Sequence, residues 1–205
     1  MATLSPAVLA RRVCSVVSAA LVAGFAIYAF NLDFAVEREL CLLRATGWSA
    51  AGALLLSLSM TPLRSLGQRL GRHRALPYLP TLRRSLGITS ACFALAHGAV
   101  ALTTYLWDSW PAIPKEPFLR AGLVTLAILT ALLMTSFPGV VRALRLRLWK
   151  PLHRLAYVAA LFAFQHLMLS PFADRRLVLG LYLALALVSC LRLIRAKRPP
   201  AAAPE

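Results

Sequence analysis

Long uncharged stretches, separated by short basic connections, make up nearly the whole chain. They run over residues 13–32, 45–63, 85–107, 121–141 and 155–173, with a shorter one at 177–191. A helix rises about 1.5 Å per residue, so roughly 20 apolar residues cross the ~30 Å of hydrocarbon in a bilayer. Five stretches meet that length. The sixth does so when Arg192 snorkels to the interface and the helix continues through Leu193 and Ile194. The pattern predicts an all-α fold, a six-helix transmembrane bundle. Its helices are expected over about 13–32, 45–63, 85–107, 118–138, 151–170 and 176–194. They form a single membrane domain across 1–205, with a short disordered tail at 196–205. Arg11-Arg12 before an apolar run also suits a signal peptide. The run, however, exceeds the roughly 7–15 residues of a signal h-region, and no small-residue cleavage site follows at Tyr28-Ala29-Phe30-Asn31. The first helix is therefore expected to be retained.

Composition agrees with a membrane protein and adds an orientation. Of the 205 residues 60% are hydrophobic, against about 45–50% in soluble domains, yet the formal charge is +16. Nucleic-acid binding and basic membrane loops both produce such a charge, and the apolar runs decide for the second. Basic residues gather in alternate connections. Arg11, Arg12, Arg64, Arg69, Arg72, Arg74, Arg83 and Arg84 fall on one side. So do Arg142, Arg145, Arg147, Lys150, Arg154, Arg192, Arg195, Lys197 and Arg198, giving that side 17 of the 23 Lys and Arg. The other side holds Arg38, Arg44, Lys115, Arg120, Arg175 and Arg176, with six of the seven acids: Asp33, Glu37, Glu39, Asp108, Glu116 and Asp174. The positive-inside rule then places both N and C termini in the cytoplasm. The excess charge is accounted for by topology and by attraction to anionic membrane lipid, with no nucleic acid required.

Ionisable groups within membrane spans are costly and usually functional. Here they are histidines: His97 in the third expected helix, His153 and His166 in the fifth. Counted from the cytoplasmic ends of their helices, His97 lies roughly 20 Å deep and His166 roughly 22 Å. Two neutral imidazoles at one depth on different helices suit axial coordination of a haem iron. The small residues Ala94, Ala96, Gly98 and Ala101 leave room for a flat macrocycle. No Cys-x-x-Cys-His occurs, so the haem is expected to be non-covalent haem b, one or two per chain. His153 lies near the cytoplasmic face and is the least supported of the three iron ligands. Thirteen residues before His97 stands Arg84, which cannot ligate iron. A second haem would need an irregular helix, a non-protein ligand, or His73 folding inward. Arg83, Arg84, Arg145 and Arg154 could clamp propionates or a flavin phosphate, although orienting the chain also explains them. Cys14, Cys41, Cys92 and Cys190 are scattered and expected to be small buried hydrophobes without disulfides. No catalytic constellation is visible.

Several fragments resemble the ferric reductase-like transmembrane family. They are Met60-Thr61-Pro62-Leu63-Arg64, Leu82-Arg83-Arg84-Ser85-Leu86-Gly87, Leu95-Ala96-His97, Glu116-Pro117-Phe118, Thr135-Ser136, and Trp149 with Leu152-His153-Arg154-Leu155-Ala156-Tyr157. In order and spacing, over roughly residues 10 to 190, they look most like the haem-binding subunits of bacterial periplasmic protein-methionine-sulfoxide reductase systems. That resemblance implies a multi-pass inner-membrane haem protein passing electrons to a periplasmic, molybdenum-containing reductase that repairs oxidised methionine. It also implies FMN, whose binding residues it does not place. No Gly-x-Gly-x-x-Gly occurs, so the donor is expected to be a separate cytoplasmic flavin reductase or quinol. The chain is then an electron-transfer subunit rather than a complete enzyme. Two alternatives stay open: a ferric reductase-like or respiratory cytochrome b with another acceptor, and a six-helix transporter or assembly factor without haem. The absence of an internal repeat speaks against a transporter.

Overall fold

The computed structural model describes residues 35–69 and 79–196. The expected first helix, Cys14, His73 and the tail beyond Ala196 lie outside the described residues. Those described contain helices and no strand. In chain order they are α1 (Ala35–Arg69), α2 (Leu79–Val100), α3 (Pro117–Met134), α4 (Pro138–His153), α5 (Leu155–Leu169) and α6 (Arg175–Ala196). A π-turn at Ala101–Tyr105 prolongs α2, and a 3-10 turn at Trp110–Ala112 lies in the connection to α3. Among the described residues, four stretches are long and apolar enough to cross a membrane: Arg38–Gln68, Leu82–Tyr105, Pro117–Met134 and Arg147–Leu169.

Prolines explain where α3, α4 and α5 depart from expectation. Pro117 and Pro138 each open a helix, where a missing N–H costs nothing. The residue before a proline is driven out of the helical region. Phe137 is accordingly extended, and α3 ends at Met134 rather than at 138. The basic run after it, expected as a connection, is the helix α4. The fifth helix was expected to begin at Pro151. Instead Pro151 lies inside α4, and α5 starts at Leu155. The two meet at Arg154, where the backbone tightens into Arg154 N–H to Pro151 O and Tyr157 N–H to Arg154 O bonds, both 3.0 Å.

The packing is inside out relative to a soluble protein. Buried positions are mostly small: Ala50, Ala51, Ala91, Ala159, Ala160 and Ala163. Large apolar side chains such as Leu56, Leu123, Leu161, Leu183 and Leu187 are more than half exposed. Lipid removes the drive to hide leucine, and small residues let backbones approach.

Two antiparallel helix pairs form the frame, and each is cross-linked at seven-residue intervals. Between α1 and α2, Ser57 Oγ donates to Arg83 O (2.9 Å), Ser90 Oγ to Ala50 O (2.8 Å), and His97 Nδ1 meets Leu43 O (2.9 Å). Between α3 and α5, Thr125 Oγ1 lies 3.5 Å from Ala159 O and His166 Nδ1 lies 2.7 Å from Phe118 O. Seven residues make nearly two helical turns, so such rungs recur on one seam. The pairs join through a core of Leu54, Leu58 and Ala91 against Leu129, Ala159, Ala160 and Ala163. The α6 helix docks through Tyr182 Oη, which donates to Ala160 O at 2.9 Å, and through fully buried Val178. Asp174 caps its start by accepting from Arg176 N–H at 2.9 Å.

Candidate functional site

The two ladders end on histidines that face each other. The rings of His97 and His166 stand 6.1 Å apart, centre to centre, with their planes at 80°. Each Nδ1 meets a main-chain carbonyl, which can only accept, so each Nδ1 carries the proton. In a neutral imidazole this leaves the lone pair on Nε2, the arrangement of a metal-binding histidine oriented by a carbonyl. Phe118 stacks beside His166, with ring centres 6.0 Å apart at 29°.

Around the pair lies a cavity of about 350 Å³, within the roughly 300–1,000 Å³ of ligand pockets. Its walls are almost wholly apolar and include Gly47, Gly98 and Gly122. Among the described residues, Arg44 is the one permanent cation along it. Residues of the connections after α2 and α5, among them Leu106, Ile113 and Phe172, close the near end.

These features fit a haem. Metal–imidazole bonds are about 2 Å long, so two imidazoles on opposite sides of one ion stand roughly 6 Å apart between ring centres. The observed spacing matches, both lone pairs are available, and the walls suit an apolar macrocycle. Arg44 could pair with a carboxylate at the rim. No sequence feature singled out Arg44, because its relation to the cavity depends on how α1 and α2 pair.

His153 is elsewhere. With Arg83 and Arg84 it occupies the opposite end of the bundle, where the family-like fragments converge. Arg83 Nη1 donates to Thr61 Oγ1 (2.7 Å), and Arg84 Nη2 donates to Ser136 O. Trp149 Nε1 donates to Thr135 O (3.1 Å). The His153 ring lies 4.0 Å from that of Trp149, and its Nε2 lies 3.4 Å from Thr135 Oγ1. The structure thus brings together His97 and His166 and leaves His153 apart, with no second imidazole facing it among the described residues. Cys41, Cys92 and Cys190 are free; Cys41 is half-buried, while Cys92 and Cys190 are exposed rather than buried as expected. Among the described residues no group of three or more His, Cys, Asp or Glu gathers as a metal site.

A polytopic helical membrane protein with paired histidines across its bundle is the class that the fold and site define. The model of the ferric reductase like transmembrane component matches residues 46–164, and the chain belongs to that family. It is similar to the protein-methionine-sulfoxide reductase heme-binding subunit MsrQ of Deinococcus radiodurans, 32% identical over 158 residues, covering 75% of this chain and 73% of the relative. The MsrQ of Rhodospirillum rubrum is 34% identical over 162 residues, 72% of each chain. That of Azospira oryzae is 34% identical over 133 residues, 61% of this chain and 52% of the relative.

Proposed function

We propose that the chain is the haem b-binding membrane subunit of a methionine-sulfoxide reductase system, with His97 and His166 as axial ligands of its iron. The observation that carries this reading is the opposed imidazole pair, 6.1 Å between ring centres, with both Nδ1 protons committed to carbonyls. Bound haem would supply one-electron transfer within the bilayer. The chain's own residues do the rest. The carbonyls of Leu43 and Phe118 hold the rings, the apolar walls exclude water, and Arg44 offers a partner for a carboxylate.

The topology proposed with it has six spans in the bacterial inner membrane and cytoplasmic termini. The Arg83–Arg84 end then faces the cytoplasm and the histidine pair lies toward the periplasm. Electrons from a quinol or cytoplasmic flavin reductase would leave toward a docked periplasmic reductase containing molybdenum. A second haem at His153, or an FMN phosphate beside Arg83 and Arg84, would have to replace the bonds those residues make to Thr135, Thr61 and Ser136. The test is the visible spectrum of the purified protein. A low-spin b-type spectrum, lost in His97→Ala and in His166→Ala, is expected. Full haem in both variants would overturn the assignment.

A further inference from the structure

Both histidines solve the same problem in the same way. A carbonyl inside a helix is occupied by the N–H four residues on, and its remaining lone pair faces outward. Because side chains tilt toward the helix N-terminus, the residue at i+4 covers that lone pair. The carbonyl that His97 uses belongs to Leu43, and four residues later stands Gly47. The carbonyl that His166 uses belongs to Phe118, and four residues later stands Gly122. A Cβ at position 47 would lie 3.0 Å from His97 Nδ1 and 3.1 Å from Cε1. At position 122 it would lie 2.8 Å from His166 Nδ1 and 3.0 Å from Cε1. These rings are fixed at Nδ1 and cannot yield as the end of a flexible chain does.

We infer that Gly47 and Gly122 are positioning residues for the two imidazoles, opening the Leu43 and Phe118 carbonyls so that both Nε2 atoms face the cavity. The inference rests on the haem reading and adds to it what sets tautomer and ring plane. A glycine inside a helix costs about 1 kcal/mol relative to alanine, so a helix gains by replacing it wherever nothing occupies the notch. Gly52, Gly139 and Gly180 have nothing within 4 Å of such a Cβ and serve as controls.

The experiment combines haem titration with electron paramagnetic resonance on the purified full chain. Gly47→Ala and Gly122→Ala are each expected to weaken haem binding about 10- to 100-fold, the usual effect of losing a ligand's orienting partner. They should also alter the highly anisotropic low-spin signal that near-perpendicular imidazoles produce. Gly52→Ala, Gly139→Ala and Gly180→Ala should leave both unchanged. Wild-type signals in Gly47→Ala and Gly122→Ala, alongside haem loss in His97→Ala and His166→Ala, would overturn the inference and leave the haem reading intact. A wild-type protein without haem would sink that reading instead. Should an alanine variant be poorly recovered from membranes, a double-mutant cycle decides. Its defect should vanish in Gly47→Ala/His97→Ala or Gly122→Ala/His166→Ala, measured as yield and melting temperature. A defect that persists without the imidazole would assign the glycine to helix packing and reject the proposal.

Discussion

At the scale of single residues, the chemistry depends on which imidazole nitrogen is free. His97 and His166 each commit Nδ1 to a carbonyl, whereas His153 directs Nε2 at Thr135 Oγ1 and lies against Trp149. On the proposed function, removing either of the first two takes away an iron ligand, so His97→Ala or His166→Ala should abolish the main Soret band. His153→Ala should retain that band with partial loss or a shifted potential; complete loss on reductive titration would make His153 essential to the main haem. A variant with all four cysteines changed to Ala or Ser should still insert and bind haem, and an inserted but haem-free product would contradict this. The histidines were legible in the sequence because depth follows from counting along a helix. The glycines were not, since a missing Cβ acquires meaning only when a neighbouring helix brings a ring against it.

At the scale of elements, the ladders explain how the depth match becomes contact. His166 and the Ala159 carbonyl are rungs seven residues apart on α5, so whatever separates α3 from α5 at Ala159 also displaces His166. Ala159 is fully buried in the core. Ala159→Leu should therefore destabilise the protein by about 1–3 kcal/mol through overpacking. Haem occupancy should fall with it, although no ligand has changed. Thermal melts followed at the Soret band and by helical circular dichroism check this. A stable variant with full haem would show that the α3–α5 seam does not set ligand position. Ser90→Ala, which removes one rung of the other ladder, should cost only about 0.6 kcal/mol, typical of a hydrogen bond between membrane helices. Apolar run length made four spans among the described residues legible, but their ends were not. Pro138 acts backward on Phe137, and Pro151 is carried within α4 because the chain can tighten at Arg154.

At the scale of the whole molecule, orientation decides which way electrons would move under the proposed function. Reporter fusions after Ala112 should be active only as periplasmic reporters, and fusions after Arg74 only as cytoplasmic ones, given the 17-to-6 division of basic residues. With that orientation the imidazole pair lies beneath the connections after α2 and α5, which help close its cavity. Those connections expose Trp107, Trp110 and Phe172. On the proposed function the terminal chemistry belongs to a docked partner. The side that this orientation assigns to the periplasm carries six basic and six acidic residues. Such balance favours a modest, transient interface over strong electrostatic capture. Reduced protein in liposomes should therefore be reoxidised quickly by a periplasmic methionine-sulfoxide reductase added outside, and slowly by free ferric chelates. Stopped-flow absorbance at the haem band measures both rates on one preparation. Adding salt should change the rate with the reductase only modestly, because net charge contributes little to the encounter. Faster reoxidation by the chelate, or no effect of the reductase, would transfer the acceptor role to ferric iron while leaving the haem proposed at His97 and His166 untouched.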